Sequence, residues 1–572
     1  MHTFDYMKKK YFRFNKIIEN KISLKKKEII EISNLNNGVN LYNNHIIYKN
    51  EILIKVYDRI CNHAGGKIIS KNNEHRCPLH NWKFNPETGT YFNGIKKKEC
   101  LYKIKNGKII IEEKDLIPTI SKSKKNSLVK VRFFNHAFLK VETDNFRFAT
   151  DPWAVGPAFN NGWFLKKKTK NDWINQLNNC DFIYISHNHP DHLHPLTLKK
   201  VKKDMLFLVP NFITKSTEIY LRSLGFNNIF VADFLNEYSF SNTNLNLSVL
   251  KSGDFREDSG IYFSIGEFTC LFSVDSNNIN HSRFPIVDLY ASSFAGGASG
   301  FPLVFSNYNK SEKEKIIFNN QKLFKIKRNK EISKIKPKYF LPYAGFFKEN
   351  YKRDQNIFYA NKKFNIKDYE KFSSNTKFKL LNVDEYDQFY FKNKKLIKKN
   401  NIKNPFYKDL TDETYINYTK KKFEQIDKKY IKKYFIESEF KDNLILIVSL
   451  TDDKYKKIET EFNVNFSNEK IEINFCKNTN LDEQKLKKDK KYLHIKCRKE
   501  AFLNVIHNKE PWEDLVIGFQ CKIHRKPNEY NANFWHHFSN KYITSRNVRM
   551  SSECYQCPSL FQTLSNQLKA LN

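Results

Sequence analysis

The 572-residue chain contains no uninterrupted apolar run approaching about 18 residues, so a membrane-spanning helix is not expected. Its first residues, MHTFDYMKKKYFRFNK, are basic but lack the apolar core of a secretory leader. The ten cysteines follow no compact disulfide spacing. Two of them sit in a metal-ligand pattern that needs free thiolates, which predicts a reducing, cytoplasmic setting. No internal repeat is visible. Acidic residues are scarce, 61 against 99 Lys and Arg, leaving a formal net charge of +38. Clustered cations would point to nucleic acid, but here the lysines are scattered. They rise together with Asn, Ile, Phe and Tyr, as an AT-rich coding sequence produces, so no nucleic-acid partner is expected. The excess can still steer an anionic nucleotide or an acidic partner toward the surface.

Hydrophobic residues make up 40 % and aromatics 15 % of the chain, with 50 Phe and 30 Tyr, enough for sizeable cores. The length predicts several domains. Residues 1–120 read as short strands (38–48, 51–57, 108–112) between Gly and Asn turns, and the basic 121–127 as a linker. Beyond it, strand-like runs at 129–134, 146–150, 182–186 and 206–209 alternate with helical patterns at 170–177 and 214–224, predicting a layered α/β unit over 128–348. The Lys- and Asn-rich 349–405 reads as surface helix and loop, and the C-terminal part as mixed α/β. The predicted class is multidomain α+β, with domains at 1–120, 128–348 and 365–572.

Cys61-Asn-His63-Ala-Gly-Gly and Cys77-Pro-Leu-His80-Asn-Trp-Lys-Phe each place one thiolate and one imidazole at the tip of a tight loop. Thirteen residues separate His63 from Cys77, enough for a hairpin to bring the tips together. Two Cys on one iron and two His on the other is the ligand set of a [2Fe–2S] centre of raised potential. Gly65, Gly66 and Gly89 supply backbone freedom, and Trp82 and Phe84 would dry one side of the cluster. The segment resembles Rieske ferredoxins and ring-hydroxylating oxygenases, with Asn81 where Gly is usual. It lacks the extra cysteines that respiratory Rieske proteins pair as a disulfide. Zinc is the competing occupant of two Cys and two His; the flanking residues favour the cluster. His75 reads as an ordinary loop histidine.

A second motif follows a buried-strand pattern: Asp181-Phe-Ile-Tyr-Ile-Ser186, then His187-Asn-His189-Pro-Asp191-His192. A strand running into His-x-His-x-Asp-His resembles the metallo-β-lactamase fold, which implies an αββα sandwich. Asn135-His136-Ala137 and Asp151-Pro152-Trp153 resemble its opening strands, and Asp275 stands where a bridging carboxylate is expected. Hydrolases of that fold supply two further histidines. Here none occurs between His194 and His281; Asp254 lies near the third position and Ala344 at the fourth. A two-zinc hydrolytic site is therefore incomplete. His187 and His189 with a carboxylate, Asp191 or Asp275, instead match the two-histidine, one-acid set of mononuclear non-haem iron, with His192 an alternative ligand.

The pairing resembles the CMP-N-acetylneuraminate hydroxylase family. The stretches at 252–260, 293–302, 341–345, 517–520 and 533–538 share in the resemblance. It implies a cytoplasmic monooxygenase that converts the N-acetyl group of a CMP-sialic acid to N-glycolyl. Oxygen and electrons are required, the latter from cytochrome b5 or a ferredoxin-like donor with its reductase. Gly296, Gly297, Ser299 and Gly300 are candidates for a backbone nest around the sugar-nucleotide phosphate, a fold-required turn being the equal alternative. Arg256 and Arg283 are candidate partners for carboxylate or phosphate, though Arg256 is equally suited to pair with Glu257 or Asp258. The competing function is a metallo-β-lactamase-fold hydrolase with an attached Rieske electron-transfer domain. Cys521, His524, Cys554 and Cys557 form a loose zinc-like pattern, with 29 residues between the pairs.

Overall fold

The computed structural model describes residues 17–538 apart from 21–25, 43–44, 60, 62–67, 72, 77–82, 92–95, 114–127, 213, 235, 253–256, 277–278, 280–286, 375–377, 468–469 and 477–490. The expected multidomain α+β class is what it contains. The N-terminal part holds three small antiparallel sheets. One comprises Gly38–Leu41, His45–Lys49 and Ile54–Asp58; a second runs from Ile69–Lys71 through Glu74–Arg76 and Lys83–Asn85 to Thr90–Tyr91. The third pairs Tyr102–Lys105 with Lys108–Glu113 and Lys26–Glu31.

Two eight-stranded sheets form the central sandwich. In the first, Val129–Asn135, Phe138–Glu142 and Arg147–Thr150 are antiparallel, and Phe182–Tyr184, Phe207–Pro210 and Ile229–Ala232 continue in parallel. The second runs antiparallel from Glu237–Phe240 through Leu245–Lys251 and Ser259–Ile265 to Phe268–Val274, then parallel through Leu289–Ser293 and Tyr339–Tyr343. Parallel strands are covered on both faces, so Phe182–Tyr184 and Phe207–Pro210 are buried at every position. Between the sheets Phe148 stacks on Phe182 at 4.9 Å, and Phe263 meets Phe148 edge-on at 5.2 Å. Helix Lys310–Ile335 starts from an Asn309–Glu312 capping box and buries Arg328, Glu331, Ile332 and Ile335.

Two sequence expectations need correction. The segment read as surface helix and loop carries strands: Lys379–Leu380 extends the second sheet, and Gln388–Lys392 and Lys395–Asn400 extend the first. Phe389 and Phe391 alternate inward, and Phe391 reaches Phe268 of the other sheet at 4.9 Å. The surrounding lysines hid that period-two pattern, because an edge strand tolerates them on its open side. The sandwich thus continues past 348 to Asn400. It also recruits Ile17–Asn20, which pairs with Glu237–Phe240 at the edge of the second sheet.

The C-terminal region forms a five-stranded sheet in the order Glu472–Phe475, Ile458–Asn465, Ile445–Thr451, Tyr492–Arg498, Cys521–Lys526. Its core, with Phe435, Phe462, Phe502 and Trp512, is continuous with Trp153, Trp163 and Phe347 of the sandwich. Backbones interlock at this junction. A side chain on Gly162 would overlap the carbonyl of Gly518, and one on Gly300 the carbonyl of Val516. Across the same junction Arg498 binds Asp354, both buried, with Nη2 to Oδ1 at 2.5 Å. Burial opposes ionisation of Asp354, but Arg498 and Arg353 outweigh it and lower its pKa.

Removing one member of a buried pair strands the other charge. Arg498→Leu is expected to cost about 3 kcal/mol in urea unfolding, and Arg498→Leu with Asp354→Leu to recover much of that loss. Additive losses in the double variant would contradict the pairing.

Candidate metal centres

Of the four ligands expected near the N-terminus, Cys61 is described and buried; His63, Cys77 and His80 lie outside the described residues, as do Gly65, Gly66, Asn81 and Trp82. Cys61 packs in a small core with Ile46, Tyr57, Ile68, Phe84 and Tyr91. Phe84 meets Tyr57 edge-on at 5.1 Å within that core. Gly89 has φ +70°, and a side chain there would strike the Tyr57 hydroxyl. The strands flanking the second ligand pair, Glu74–Arg76 and Lys83–Asn85, are paired in register. His75 lies on the first of them, bonded to Ser70.

The second centre is built at the ends of the neighbouring parallel strands Arg147–Thr150 and Phe182–Tyr184. Asp151, buried with φ +40°, accepts from Ser186 N–H at 2.7 Å and Ser186 Oγ–H at 2.8 Å. This clamp sets the direction in which residues 187–192 leave the sheet. His187 Nδ1 lies 2.8 Å from Ser186 Oγ, and its Nε2 lies 2.9 Å from His189 Nδ1. The far nitrogen of His189 stands 3.3 Å from Glu513 Oε1. His192 Nε2 is 3.3 Å from Asp191 Oδ2 and 3.6 Å from Asp275 Oδ2, while its Nδ1 is 3.2 Å from Asp151. His136 Nε2 reaches Asp191 Oδ2 at 3.0 Å.

Among the described residues, ligand atoms converge within 4.8 Å in three overlapping sets: His187, His189 and Asp258; His187, His192 and Asp275; His136, Asp191 and His192. Several side-chain atoms of these residues lack an aligned hydrogen bond despite burial, namely Nε2 of His192, Nδ1 of His136 and Oδ1 of Asp191. Orphaned polar atoms of this kind are costly in a folded core and fit a group that draws on their lone pairs. Protonation tells the same story. Burial opposes charge on His189, yet Glu513, Asp258 and Asp191 outweigh it and lift its pKa to about 9. Against the same opposition Asp191 and Asp151 hold His192 well above the usual imidazole range. Burial would raise Asp191, but His192 and His136 hold it well below the carboxylate range. The pocket thus favours positive charge, and imidazole and carboxylate together suit a first-row transition metal such as iron.

The geometry divides the expected mononuclear set. His187 and His189 are completed by Asp258, while Asp191 and Asp275 face His192. Three contributors were missed by the sequence reading. Asp258 was weighed only as a partner of Arg256. His136 was read only as part of an opening strand, yet its carbonyl accepts from Ala344 N–H at 2.8 Å, so it stands where the absent late histidine was sought. Glu513 lies 324 residues from His189, and no local signal marks it. Asp254, Arg256 and Arg283 lie outside the described residues. Gly296 and Gly297 have φ of +66° and +70°; Asn361 bonds the Gly297 carbonyl at 2.8 Å, and Gly300 is packed against Val516. Cys521 is buried and His524 exposed on one strand, facing opposite sides of the sheet, and Cys554 and Cys557 lie outside the described residues.

Residues 130–271 match the family model of the beta-lactamase superfamily domain, and residues 17–105 that of the Rieske [2Fe-2S] domain. The chain therefore joins a Rieske-type domain to a sandwich of the beta-lactamase superfamily type. Over its length it is similar to proteins named cytidine monophosphate-N-acetylneuraminic acid hydroxylase. That of Pongo pygmaeus is 28 % identical over 575 residues, covering 90 % of this chain and 93 % of the relative. That of Xenopus laevis is 29 % identical over 556 residues, covering 89 % and 92 %. The resemblance to that hydroxylase family, first seen in the motifs, thus holds across nine-tenths of the chain.

Two measurements check the centres. Reduced protein prepared without oxygen is expected to give a Rieske electron-paramagnetic signal, abolished in His63→Ala or His80→Ala. His192→Ala is expected to lose metal beyond the cluster while that signal persists. An intact cluster signal in a variant lacking both His63 and His80 would refute the ligand set.

Proposed function

We propose that this chain is a monooxygenase that hydroxylates the N-acetyl group of CMP-N-acetylneuraminate, or a related CMP-linked nonulosonic acid, to N-glycolyl. The observation that carries the reading is the convergence of His136, His187, His189, His192, Asp191, Asp258 and Asp275, in a chain that also has a Rieske domain and matches named hydroxylases nearly end to end. Iron at this second centre, supplied with single electrons by the cluster, would provide the oxygen chemistry that an unactivated methyl requires.

The protein's own residues supply the rest. Asp151 and Ser186 orient the rings of His192 and His187. Trp153 and Phe159, both buried, and the adjoining Trp163–Phe347 stack at 3.6 Å keep bulk water from one side. His136 stands 5.2 Å from Trp153, ring to ring, and closes the corner occupied by Ala344. The loop 296–300 and the side chains of Arg256 and Arg283 are the proposed contacts for phosphate and carboxylate. The net charge of +38 supports capture of an anionic sugar nucleotide. Cytochrome b5 or a ferredoxin-like protein with its reductase is the proposed donor, in the cytoplasm. Among the described residues no helix is long and apolar enough to cross a membrane.

Hydrolysis is not favoured: the relatives are named hydroxylases, and a carboxylate, Asp258, rather than a third imidazole converges with His187 and His189. With reductant, a b-type cytochrome, labelled O2 and CMP-N-acetylneuraminate, label is expected in the N-acyl group. A metal-loaded protein that neither binds the nucleotide nor transfers label would sink the assignment. No zinc-dependent turnover of lactams or phosphodiesters is expected; such turnover, lost in His187→Ala, would favour the hydrolase.

A further inference from the structure

We propose that Glu513, contributed by the C-terminal region, is a positioning residue of the metal centre: it accepts the Nε2 proton of His189 and thereby presents Nδ1 of that ring to the metal. The inference rests on the metal-centre reading above and deepens it.

The two nitrogens of His189 look in opposite directions. Nδ1 lies 2.9 Å from Nε2 of His187, with which His189 shares a converging set. Nε2 lies 3.3 Å from Glu513 Oε1, on the outer side. Glu513 belongs to none of the three converging sets. His187 and His192 follow the same rule, one nitrogen inward and the other on an oxygen, Ser186 Oγ at 2.8 Å and Asp151 Oδ2 at 3.2 Å. Those two oxygens come from the sandwich itself, whereas the partner of His189 comes from across the domain junction. A carboxylate behind a ligating imidazole fixes its tautomer and ring orientation and makes it a better donor to the metal.

Glu513 is held where it can do this. Trp512, the residue before it, is fully buried and donates Nε1–H to the Tyr434 hydroxyl at 2.8 Å. Glu513–Ile517 is one short helix, and Trp163 Nε1–H donates to the Ile517 carbonyl at 3.0 Å. Gly518 follows, so close to Phe159 that a side chain would strike that residue's carbonyl. The Phe159 ring in turn lies 5.9 Å from the ring of His189. The backbone contacts that lock the C-terminal region to the sandwich are therefore immediate neighbours of the contact that orients a ligand. The C-terminal region completes the centre, and its docking sets how well the centre holds metal.

The test uses the full-length protein with its cluster intact and Co2+ as the probe of the second centre. Affinity is read by chelator competition and ligand geometry by the visible spectrum of the bound cobalt. Glu513→Ala is expected to weaken cobalt binding by roughly 10–100-fold and to shift the spectrum. Glu513→Gln, whose amide oxygen can still accept from Nε2–H, is expected to restore most of the affinity, and the cluster signal to stay unchanged in both. Wild-type affinity and spectrum in Glu513→Ala would overturn the role of Glu513 alone. A wild-type chain that takes up no cobalt would overturn the metal-centre reading together with it. If cobalt binding responds as expected while the sugar nucleotide is not hydroxylated, Glu513 keeps its role and only the substrate assignment fails.

Discussion

Both carboxylate oxygens of Asp151 are committed: Oδ1 to the Ser186 amide, Oδ2 to the Ser186 hydroxyl and to the ring of His192. That clamp joins the ends of two parallel strands and makes the buried end of the sheet a platform from which four ligand-type side chains leave within six residues. Parallel strands end side by side, and their last peptide groups have no onward partner in the ladder. A fully buried carboxylate satisfies those groups and at the same time turns the chain. The cost of burying Asp151 is offset by three polar contacts, and the result is a rigid base for His187 through His192.

From that base the other contributors are recruited by topology. Asp275 follows Phe268–Val274 in the opposing sheet, Asp258 precedes Ser259–Ile265, and His136 lies in the tight turn between Val129–Asn135 and Phe138–Glu142. The two sheets bring these positions together because their aromatic faces, Phe148, Phe182, Phe263 and Phe272 among them, pack with little freedom to slide. The C-terminal region is bound to the same site by glycine contacts at Gly162, Gly300 and Gly518, where backbone meets backbone. Flexible side chains cannot absorb strain at such points, so the junction is stiff, and the position of Glu513 is correspondingly definite.

Much of this was legible in local patterns. His187, His189, Asp191 and His192 sit in one short stretch behind a run of buried residues, and the cysteine–histidine pairs of the first centre are equally compact. The strands of the sandwich showed through their apolar runs. Strands 379–400 did not, because lysines on the open side of an edge dilute the alternation carried by Phe389 and Phe391. Asp258 was misjudged because its neighbours Arg256 and Glu257 suggested a local ion pair. His136 was overlooked as a ligand-type residue because a lone histidine after an apolar strand has no spacing partner in the sequence.

By itself the sequence determined the two motifs, the chemistry their residue types allow and the family they resemble, since each motif is a matter of spacing within a few residues. Only the tertiary structure decided which carboxylate meets which imidazole. It placed Asp258 with His187 and His189, and Asp191 and Asp275 with His192. It likewise brought His136 and Glu513 to the same pocket. Such pairings depend on sheet register, strand order and the docking of one core against another, and these are set by packing between segments far apart in the chain rather than by any local run of it.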